Sequence, residues 1–363
     1  MRVVLVVLLV IFAIIIVLGR WSTNEYAITP GDATPVWPLV KIEGLKTNPH
    51  RDTIMLTDVY LSSLSEWQWI TRHFQSHVQF VTANELLEPG IPSNELEAQG
   101  FLEMSDAKEG AEVAAFRALG WRVPTLDAGA VITGVVASSP ALAANLAVGD
   151  EITGVGPTSI DSGCQLVSYI HHLAPGTKLA LHVKRVTISA TGVLTYGATS
   201  FVTATTGAEP VGVGTSACPG VHGLDRSWLG ISLEDGYHFV LPATVKINTA
   251  NIGGPSAGLA MTLTLINELS KGSLTGHHVI AATGTVDFAG QVGAVGGVEE
   301  KAVAVHRAGA TYFLVPDSGG DVAAARDADQ PDLTILPVNS LTQALRDLRR
   351  LGGVTPTPLA PPT

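Results

Sequence analysis

Residues 251 to 307 read NIGGPSAGLAMTLTLINELSKGSLTGHHVIAATGTVDFAGQVGAVGGVEEKAVAVHR, and this stretch decides both the fold and the chemistry of the chain. Its Gly-Pro-Ser-Ala-Gly turn places Ser256 at the start of a helix that we predict to run to about Leu269. Unpaired backbone N–H groups and the positive end of the dipole at a helix start favour a developing oxyanion. The turn therefore indicates a nucleophilic serine.

A second helix, predicted over residues 298 to 307, carries Lys301 shortly after a glycine-rich turn. Alanines and valines flank this lysine in the sequence, so its aliphatic stem can be removed from water. A lysine that acts as a base near pH 7 must lose roughly 3 pKa units, or about 4 kcal/mol of preference for its charged form. Glu299 and Glu300 would oppose that change if they pointed inward, so we expect both to point to solvent.

The serine also matches G-x-S-x-G, the nucleophile elbow of α/β-hydrolases. In that alternative the base would be His277, His278 or His306. An elbow requires a strand that runs directly into the serine, whereas a loop of about eight residues separates Ile247 from Ser256. The hydrolase class is therefore the second choice for an enzyme.

A further serine and lysine, Ser105 and Lys108, match the S-x-x-K pattern of penicillin-binding enzymes. That class also needs S-D-N and K-T-G elements, and neither occurs in this sequence. We expect instead that residues 95 to 119 form helices, with Ser105 as the N-cap of the second helix and Lys108 in solvent.

Three segments closely resemble the proteolytic domain of Lon proteases, peptidase family S16: GGPSAG at 253–258, TGTVDFAGQVGAVGGVEEKAVAVHRAGA at 283–310, and TYFLVP at 311–316. In that family a serine and a lysine form the catalytic dyad. The resemblance implies that Ser256 is the nucleophile, that Lys301 is the general base and that Thr283 orients the lysine. It also implies that the backbone at Gly254 and Pro255 contacts the oxyanion and the substrate.

Upstream, SSPALAANLAVGDEITGV at 138–155 resembles the PDZ domains of bacterial proteases. We predict a PDZ-like domain over residues 125 to 202, with a helix at 161–173. A module of this kind binds an extended peptide by strand addition at an exposed sheet edge. No GLGF-like loop for a terminal carboxylate is obvious, so its ligand stays open, and a packing or gating domain without a ligand is the alternative.

An unbroken apolar run covers residues 3 to 18, between Arg2 and Arg20. At ~1.5 Å per residue it spans ~24 Å, less than the ~30 Å hydrocarbon core, although Gly19 and Trp21 can extend it. No small-residue cleavage site follows, which favours an uncleaved signal anchor over a cleaved signal peptide. We expect a single-pass anchor in the cell membrane, with Arg2 inside and the body of the protein on the extracytoplasmic side.

Composition excludes several classes of protein. The 363 residues hold 21 Lys+Arg against 32 Asp+Glu, for a net charge of −11 without any basic block, so we expect no nucleic-acid partner. Walker A, H-E-x-x-H and paired C-x-x-C motifs are missing from the sequence, so we expect no ATP site, no metal and no cofactor. Of the two ways to interpret Cys164 and Cys218, unpaired thiols are favoured and a disulfide is the alternative.

The predicted fold class is α+β, with an N-terminal transmembrane helix, a PDZ-like domain and a C-terminal Lon-type proteolytic α/β domain. The whole chain is similar to the YlbL-type PDZ-containing Lon-like proteases. This implies an ATP-independent, membrane-anchored serine endopeptidase that acts on extended or unfolded polypeptides, and a homo-oligomeric ring such as a hexamer. A non-catalytic PDZ scaffold or chaperone is the alternative from another class. The predicted boundaries are 1–21 for the anchor, 22–124 for an N-terminal extracytoplasmic segment packed around the other domains, 125–202 for the PDZ-like domain, 203–226 for a linker, 227–352 for the proteolytic domain and 353–363 for a disordered Pro-rich tail.

Overall fold

A computed structural model describes residues 2–48, 52–88, 90–189, 193–210, 218 and 227–359. The chain divides into two compact units. Unit 1 comprises residues 1–38, 48–86 and 256–356, and unit 2 comprises residues 39–47, 87–255 and 357–363.

The secondary structure alternates between helices and strands in both units. The α-helices are α1 (Arg2–Arg20), α2 (Glu66–Arg72), α3 (Ala83–Leu86), α4 (Leu96–Ala118), α5 (Pro140–Ala143), α6 (Gly163–His171), α7 (Gly258–Leu269), α8 (Val298–Arg307), α9 (Asp321–Asp327) and α10 (Leu341–Arg350). The strands are β1 (Ser22–Pro35), β2 (Val40–Glu43), β3 (Ile54–Ser65), β4 (Gln79–Thr82), β5 (Thr125–Val135), β6 (Glu151–Val155), β7 (Thr158–Ser159), β8 (Lys178–Ile188), β9 (Leu194–Thr205), β10 (Gly207–Ala208), β11 (Ser227–Trp228), β12 (Ile231–Phe239), β13 (Thr244–Ile247), β14 (Ile280–Ala282), β15 (Thr285–Val286), β16 (Val292–Gly293), β17 (Tyr312–Pro316) and β18 (Thr334–Val338).

The sheet of unit 1 has the strand order β18-β17-β14-β3-β1-β4. β18, β17, β14 and β3 are parallel to one another, whereas β1 pairs antiparallel with β3 and β4. Helix α8 shares an apolar cluster with Met55 of β3 and Phe313 of β17. Successive strand residues face opposite sides, so the buried Ile54, Leu56 and Leu314 belong to the other face of the sheet. Helix α7, buried along its whole length, packs against β3 and β14.

The main sheet of unit 2 is antiparallel, in the order β12-β5-β6-β8-β9, with β7 paired to β6. Its core includes Ile132, Ile152, Leu166 and Leu181. The helix predicted at 161–173 in the PDZ-like domain is present as α6. Cys164 in α6 forms a disulfide with Cys218, with their Cα atoms 5.3 Å apart, so the favoured interpretation of two unpaired thiols is wrong.

The predicted domain boundaries differ from this division in two places. Most of residues 22–86 group with unit 1, where β1, β3 and β4 supply half of the sheet. Residues 227–255 group with unit 2, where β12 extends the sheet next to β5. Sheet pairing between strands that are distant in sequence leaves no local signal, which is why contiguous boundaries were predicted.

Helix α1 has the extent predicted for the anchor, and most of its apolar side chains between Val4 and Val17 are exposed. Among the residues that the structure describes in full, no helix is both long and apolar enough to cross a bilayer. The transmembrane part of the predicted fold class is therefore not confirmed.

Three smaller predictions also change. Helix α4 is a single helix, so Ser105 lies in its interior and is not an N-cap. In the predicted tail, the Val354 N–H donates to the Ser273 carbonyl, while residues 360–363 lie outside the described residues. Most of the predicted linker also lies outside them, and its first part continues β9 and forms β10.

Candidate active site

Ser256 lies in a 3-10 turn, Pro255–Ala257, directly before α7. Proline suits the first position of a helix because it has no N–H to satisfy there. The glycine at 258 is required by packing, since a Cβ would lie 3.0 Å from the Val286 nitrogen and 3.3 Å from the Gly284 oxygen. Ser256 is half-buried. The helix start predicted for this serine is confirmed.

The loop after β14 holds the Ser256 turn in place. The Gly284 N–H donates to the Ser256 carbonyl over 2.9 Å, and the Thr283 hydroxyl donates to the same oxygen over 3.2 Å. In return, the Leu259 N–H donates to the Gly284 carbonyl over 3.0 Å. Thr283 is fully buried and its own N–H donates to Leu314 in β17. Thr283 therefore positions the serine turn, and its predicted action on Lys301 stays a prediction.

The predicted oxyanion role of Gly254 and Pro255 also stays a prediction. The Gly254 N–H donates to the Gly100 carbonyl over 2.7 Å, and Pro255 has no N–H to donate. The first N–H groups of a helix have no partner within it. The donors that best suit an oxyanion are therefore the N–H groups of Ser256 and Ala257, which follow the proline.

Lys301 lies in the first turn of α8, where its N–H donates to the Gly297 carbonyl over 2.9 Å. The residue is only 2% exposed, as the apolar flanks in the sequence predicted. This burial lowers the pKa of Lys301 to about 8, against the opposing charges of Asp321, Asp58 and Glu300. At pH 7 about one lysine in ten is then neutral. A neutral amine of this kind can accept a proton from a serine hydroxyl.

Gly297 permits this close packing of α8. It has a φ of 67° and precedes the helix as its N-cap. A Cβ at this position would lie 2.9 Å from a methyl carbon of Val59 and 3.2 Å from one of Ile28. Only glycine satisfies both the left-handed backbone and the approach to β1 and β3.

The sequence analysis missed two carboxylates that act on Lys301. Asp58 lies in β3 and accepts the Asp32 N–H over 2.8 Å, and Asp321 begins α9 and accepts the Val295 N–H over 3.0 Å. Burial raises the pKa of both carboxyls. Neither lies in a recognisable motif, and Asp58 reaches the site only because β3 pairs with β14.

Glu299 and Glu300 differ from each other. The Glu299 carboxylate is 38% exposed and lies 2.9 Å from Nδ1 of His77. Glu300 is only 2% exposed, so the prediction that both glutamates point to solvent is wrong for this one. Burial raises the pKa of Glu300, opposed by hydrogen bonds from its own N–H and that of Gln79.

The hydrolase elbow does not fit this geometry. No strand runs into Ser256, because β13 ends at Ile247 and a 3-10 turn contains the serine. Of the candidate bases, His278 lies 3.1 Å from the Leu351 carbonyl through Nε2 and its ring meets Tyr312 edge-on. His306 lies in the last turn of α8, one residue before the helix ends.

Unit 2 offers a separate candidate site along the edge strand β12. In the part of the chain that the structure describes, this strand pairs with β5 on one side and with no strand on the other, and α6 packs against it. At one end the Gly163 N–H donates to the Asp235 carboxylate over 2.8 Å. At the other, Gly230 has a φ of 77° in the turn between β11 and β12. The edge beside α6 that the sequence predicts is thus supplied by a strand about 60 residues beyond that helix, which sequence inspection missed.

Comparison with known protein families finds a match for the candidate active site and another for the sheet of unit 2. Residues 245–349 match the C-terminal proteolytic domain of Lon protease (S16), and residues 117–190 match the PDZ domain. Both matches agree with the two domains predicted from the sequence.

Individual relatives match parts of the chain. The Lon protease of Clostridioides difficile is 51% identical over 63 residues, which are 17% of this chain and 8% of that protein. The Lon protease of Chloroflexus aggregans is 36% identical over 96 residues, or 25% of this chain and 11% of that protein. This chain thus spans about a tenth of the relatives' length. A crystal structure of the PDZ domain of an SdrC-like protein from Listeria monocytogenes is 19% identical, with a TM-score of 0.22, over 29% of this chain and 87% of that one.

Proposed function

We propose that this protein is a serine endopeptidase in which Ser256 is the nucleophile and Lys301 is the general base. The observation that carries the proposal is the burial of Lys301, which lowers its pKa to about 8 in a domain whose sequence matches a serine peptidase family. A solvated lysine would keep a pKa of ~10.4 and would almost never be neutral at pH 7.

The proposed reaction is acyl transfer. Neutral Lys301 accepts the proton of the Ser256 hydroxyl, and the serine oxygen attacks a peptide carbonyl. The N–H groups of Ser256 and Ala257 stabilise the oxyanion that forms. Protonated Lys301 gives its proton to the leaving amine, and water then hydrolyses the acyl-enzyme. Thr283 keeps the serine turn in register, and a hydroxyl that donates one hydrogen bond retains lone pairs that can orient the lysine.

The test is the cleavage of an unstructured fluorogenic peptide by wild type and Ser256→Ala. We expect the variant to lose about 1,000-fold or more in kcat/KM. A peptide cleaved equally by both proteins would contradict the proposal and support the scaffold or chaperone alternative. A variant at His278 that abolishes cleavage with an intact fold would instead support the hydrolase class.

We propose further that substrates are extended or unfolded polypeptides and that no ATP is consumed. The support is the sequence, which contains no Walker A motif that could bind ATP to drive unfolding. Casein-like unfolded protein should be cleaved at the same rate with and without ATP. Rapid degradation of a folded protein only when ATP is present would contradict this.

For unit 2, we propose that β12 and α6 bind an extended segment of a polypeptide, which recruits or gates substrate. An edge strand offers unpaired N–H and C=O groups, and strand addition satisfies them. A free C-terminus would lie at the turn before β12, where Gly230 permits the left-handed backbone. Peptides with free and amidated C-termini, titrated onto Ser256→Ala, test this: tighter binding of the free acid is expected, and no binding of either would contradict it.

We propose a single-pass location in the cell membrane, with the body on the extracytoplasmic side. The apolar run at residues 3–18 and the Cys164–Cys218 disulfide support this, since disulfides persist in oxidising compartments. The protein should remain in the membrane pellet after alkaline carbonate extraction and be digested by external protease in intact cells. Release by carbonate would contradict the anchor.

The homo-oligomeric ring stays a proposal that rests on the resemblance to Lon proteases. Sedimentation of the full chain in detergent is the test, with a hexamer expected. A monomer with full peptidase activity would contradict it.

A further inference from the structure

A cavity of about 530 Å³ lies within unit 1, beside the first turn of α8. Three stretches of chain line it: residues 75–79 around the start of β4, residues 295–300 around the start of α8, and the start of α9. Its volume lies within the ~300–1,000 Å³ of pockets that bind small molecules. The cavity is therefore large enough for a long side chain or a small organic ligand.

The charges in its lining are mainly negative. Glu299, Glu300 and Asp321 contribute carboxyl groups, and the described lining residues include neither lysine nor arginine. His77 is the one basic side chain, and Glu299 already contacts it. The N-terminal ends of α8 and α9 carry only about half a positive charge each, which does not balance the negative charge of the carboxylates. The cavity thus favours a cation.

Two of these residues, Glu300 and Asp321, line the cavity and also act electrostatically on the candidate base. Glu300 precedes Lys301 in α8, and Asp321 is the group whose charge acts most strongly in favour of protonated Lys301. A second cation close to Glu300 and Asp321 would offset part of their charge. Protonated Lys301 would then lose stabilisation, and by linkage a neutral lysine would bind that cation more tightly.

We propose that this cavity binds an organic cation, an alkylammonium or alkylguanidinium group such as the side chain of a substrate lysine or arginine, and that its occupation favours the neutral, proton-accepting form of Lys301. The described residues contain no group of three or more His, Cys, Asp or Glu side chains that could hold a metal ion, so a metal is the less suitable ligand. The coupling to catalysis rests on the proposed function, whereas the binding does not.

Binding is tested on the full chain carrying Ser256→Ala, so that no turnover interferes. The probes are n-butylguanidinium and n-butylammonium, with 1-butanol as the uncharged control and Mg²⁺ as the metal control, each followed by calorimetry or by chemical shifts of labelled glycine. Both organic cations should bind and 1-butanol should not. Binding of Mg²⁺ alone, or of no probe, would overturn the proposal.

Two variants locate the binding site. Glu300→Gln should weaken the binding of butylguanidinium about fivefold or more, because a charged partner is lost at close range. Gly296→Leu should abolish it by filling the cavity, since Gly296 has an ordinary φ and no atom lies within 4 Å of the position of its Cβ. Asp327→Asn, on exposed α9 surface outside the lining, is the matched control and should bind as before. Equal binding by all three variants would refute the cavity as the site.

The coupling has its own readout. In the active protein, saturating butylguanidinium should move the midpoint of the pH–rate profile to lower pH, and Gly296→Leu should remove this response. Binding without any change of midpoint would overturn the coupling alone. If the protein binds the cations but cleaves no peptide at any pH, the proposed function fails and the binding site stands.

Discussion

Helices α8 in unit 1 and α4 in unit 2 both carry ionisable side chains with shifted pKa values, and desolvation moves these pKa values toward each other from opposite ends. It lowers the pKa of Lys301 in α8 to about 8. In α4 it raises the pKa of Glu112 and Asp106 to about 8 and that of Glu109 to about 7.

The difference between the two helices lies in what surrounds these groups. Alanine and valine residues of one apolar cluster flank Lys301 in α8, and the lysine lies in the domain that also holds the Ser256 turn. The α4 carboxyls face other carboxyls: Asp106 and Glu234 share a hydrogen bond, and Glu109 raises the pKa of Glu112 further. A shifted pKa alone therefore does not identify a catalytic group, and a nucleophile nearby is also needed.

The largest expected effect is on peptidase activity, which should depend on Lys301 in α8 and not on Glu112 in α4. Lys301→Arg keeps the positive charge but cannot release its proton near neutral pH, so kcat/KM should fall by about 1,000-fold or more. Glu112→Gln in α4 should change kcat/KM by less than about twofold, because it touches no reacting group. Peptide cleavage by both purified variants is the measurement. A large loss in Glu112→Gln together with a small one in Lys301→Arg would reverse the roles of the two helices.

The pH dependence of cleavage sharpens the same comparison. Because the base must be neutral, kcat/KM should rise with pH up to the pKa of Lys301, by about 50-fold between pH 6 and pH 8, and then level off. Glu112→Gln should leave this midpoint in place. A midpoint that follows the glutamate, or a rate that falls over this range, would show that another group controls catalysis.

Stability should also respond to Lys301. Keeping a buried lysine charged disfavours the folded state, so Lys301→Met should raise the free energy of unfolding at pH 7 by roughly 2–3 kcal/mol. In the wild type the unfolded chain binds more protons between pH 8 and 10.5, so stability should increase with pH across that window. Urea unfolding of both proteins from pH 7 to 10.5 is the measurement. Equal stability at pH 7 would mean that Lys301 is hydrated in solution.

A further effect on stability is expected in α4 and has the opposite sign. A carboxyl with a raised pKa binds more protons in the folded state, so stability should decrease as pH rises from about 4.5 to 8. Glu112→Gln should flatten this dependence without altering the trend above pH 8. The same urea series, extended to pH 4.5, reports it. A wild type whose stability rises between pH 4.5 and 8 would contradict the account of α4.

In unit 1, local sequence patterns predicted the helices that carry Ser256 and Lys301. The bounds of α8, the helix start at Ser256 and the burial of Lys301 all follow from short-range signals: glycine turns, proline at a helix start and flanking alanines and valines. These signals suffice because each depends on neighbours within one or two turns of chain.

The remaining features of the fold and the site depend on pairing between strands that are distant in sequence, and they were not predicted. Asp58 approaches Lys301 only through the pairing of β3 with β14, and β12 completes the unit 2 sheet against β5, about 100 residues earlier. No local periodicity encodes which strands become neighbours. The burial of Glu300 was missed for a related reason, because Gln79, whose N–H donates to the Glu300 carboxyl, lies far away in sequence.

The central claim, that burial makes Lys301 a base near neutral pH, is tested most directly by its own titration. In Ser256→Ala protein labelled with ¹³C at lysine Cε, the Lys301 resonance can be assigned by its loss in Lys301→Arg and followed from pH 6 to 11. The account predicts a midpoint near pH 8. A midpoint near the value of a solvated lysine, ~10.4, would contradict it.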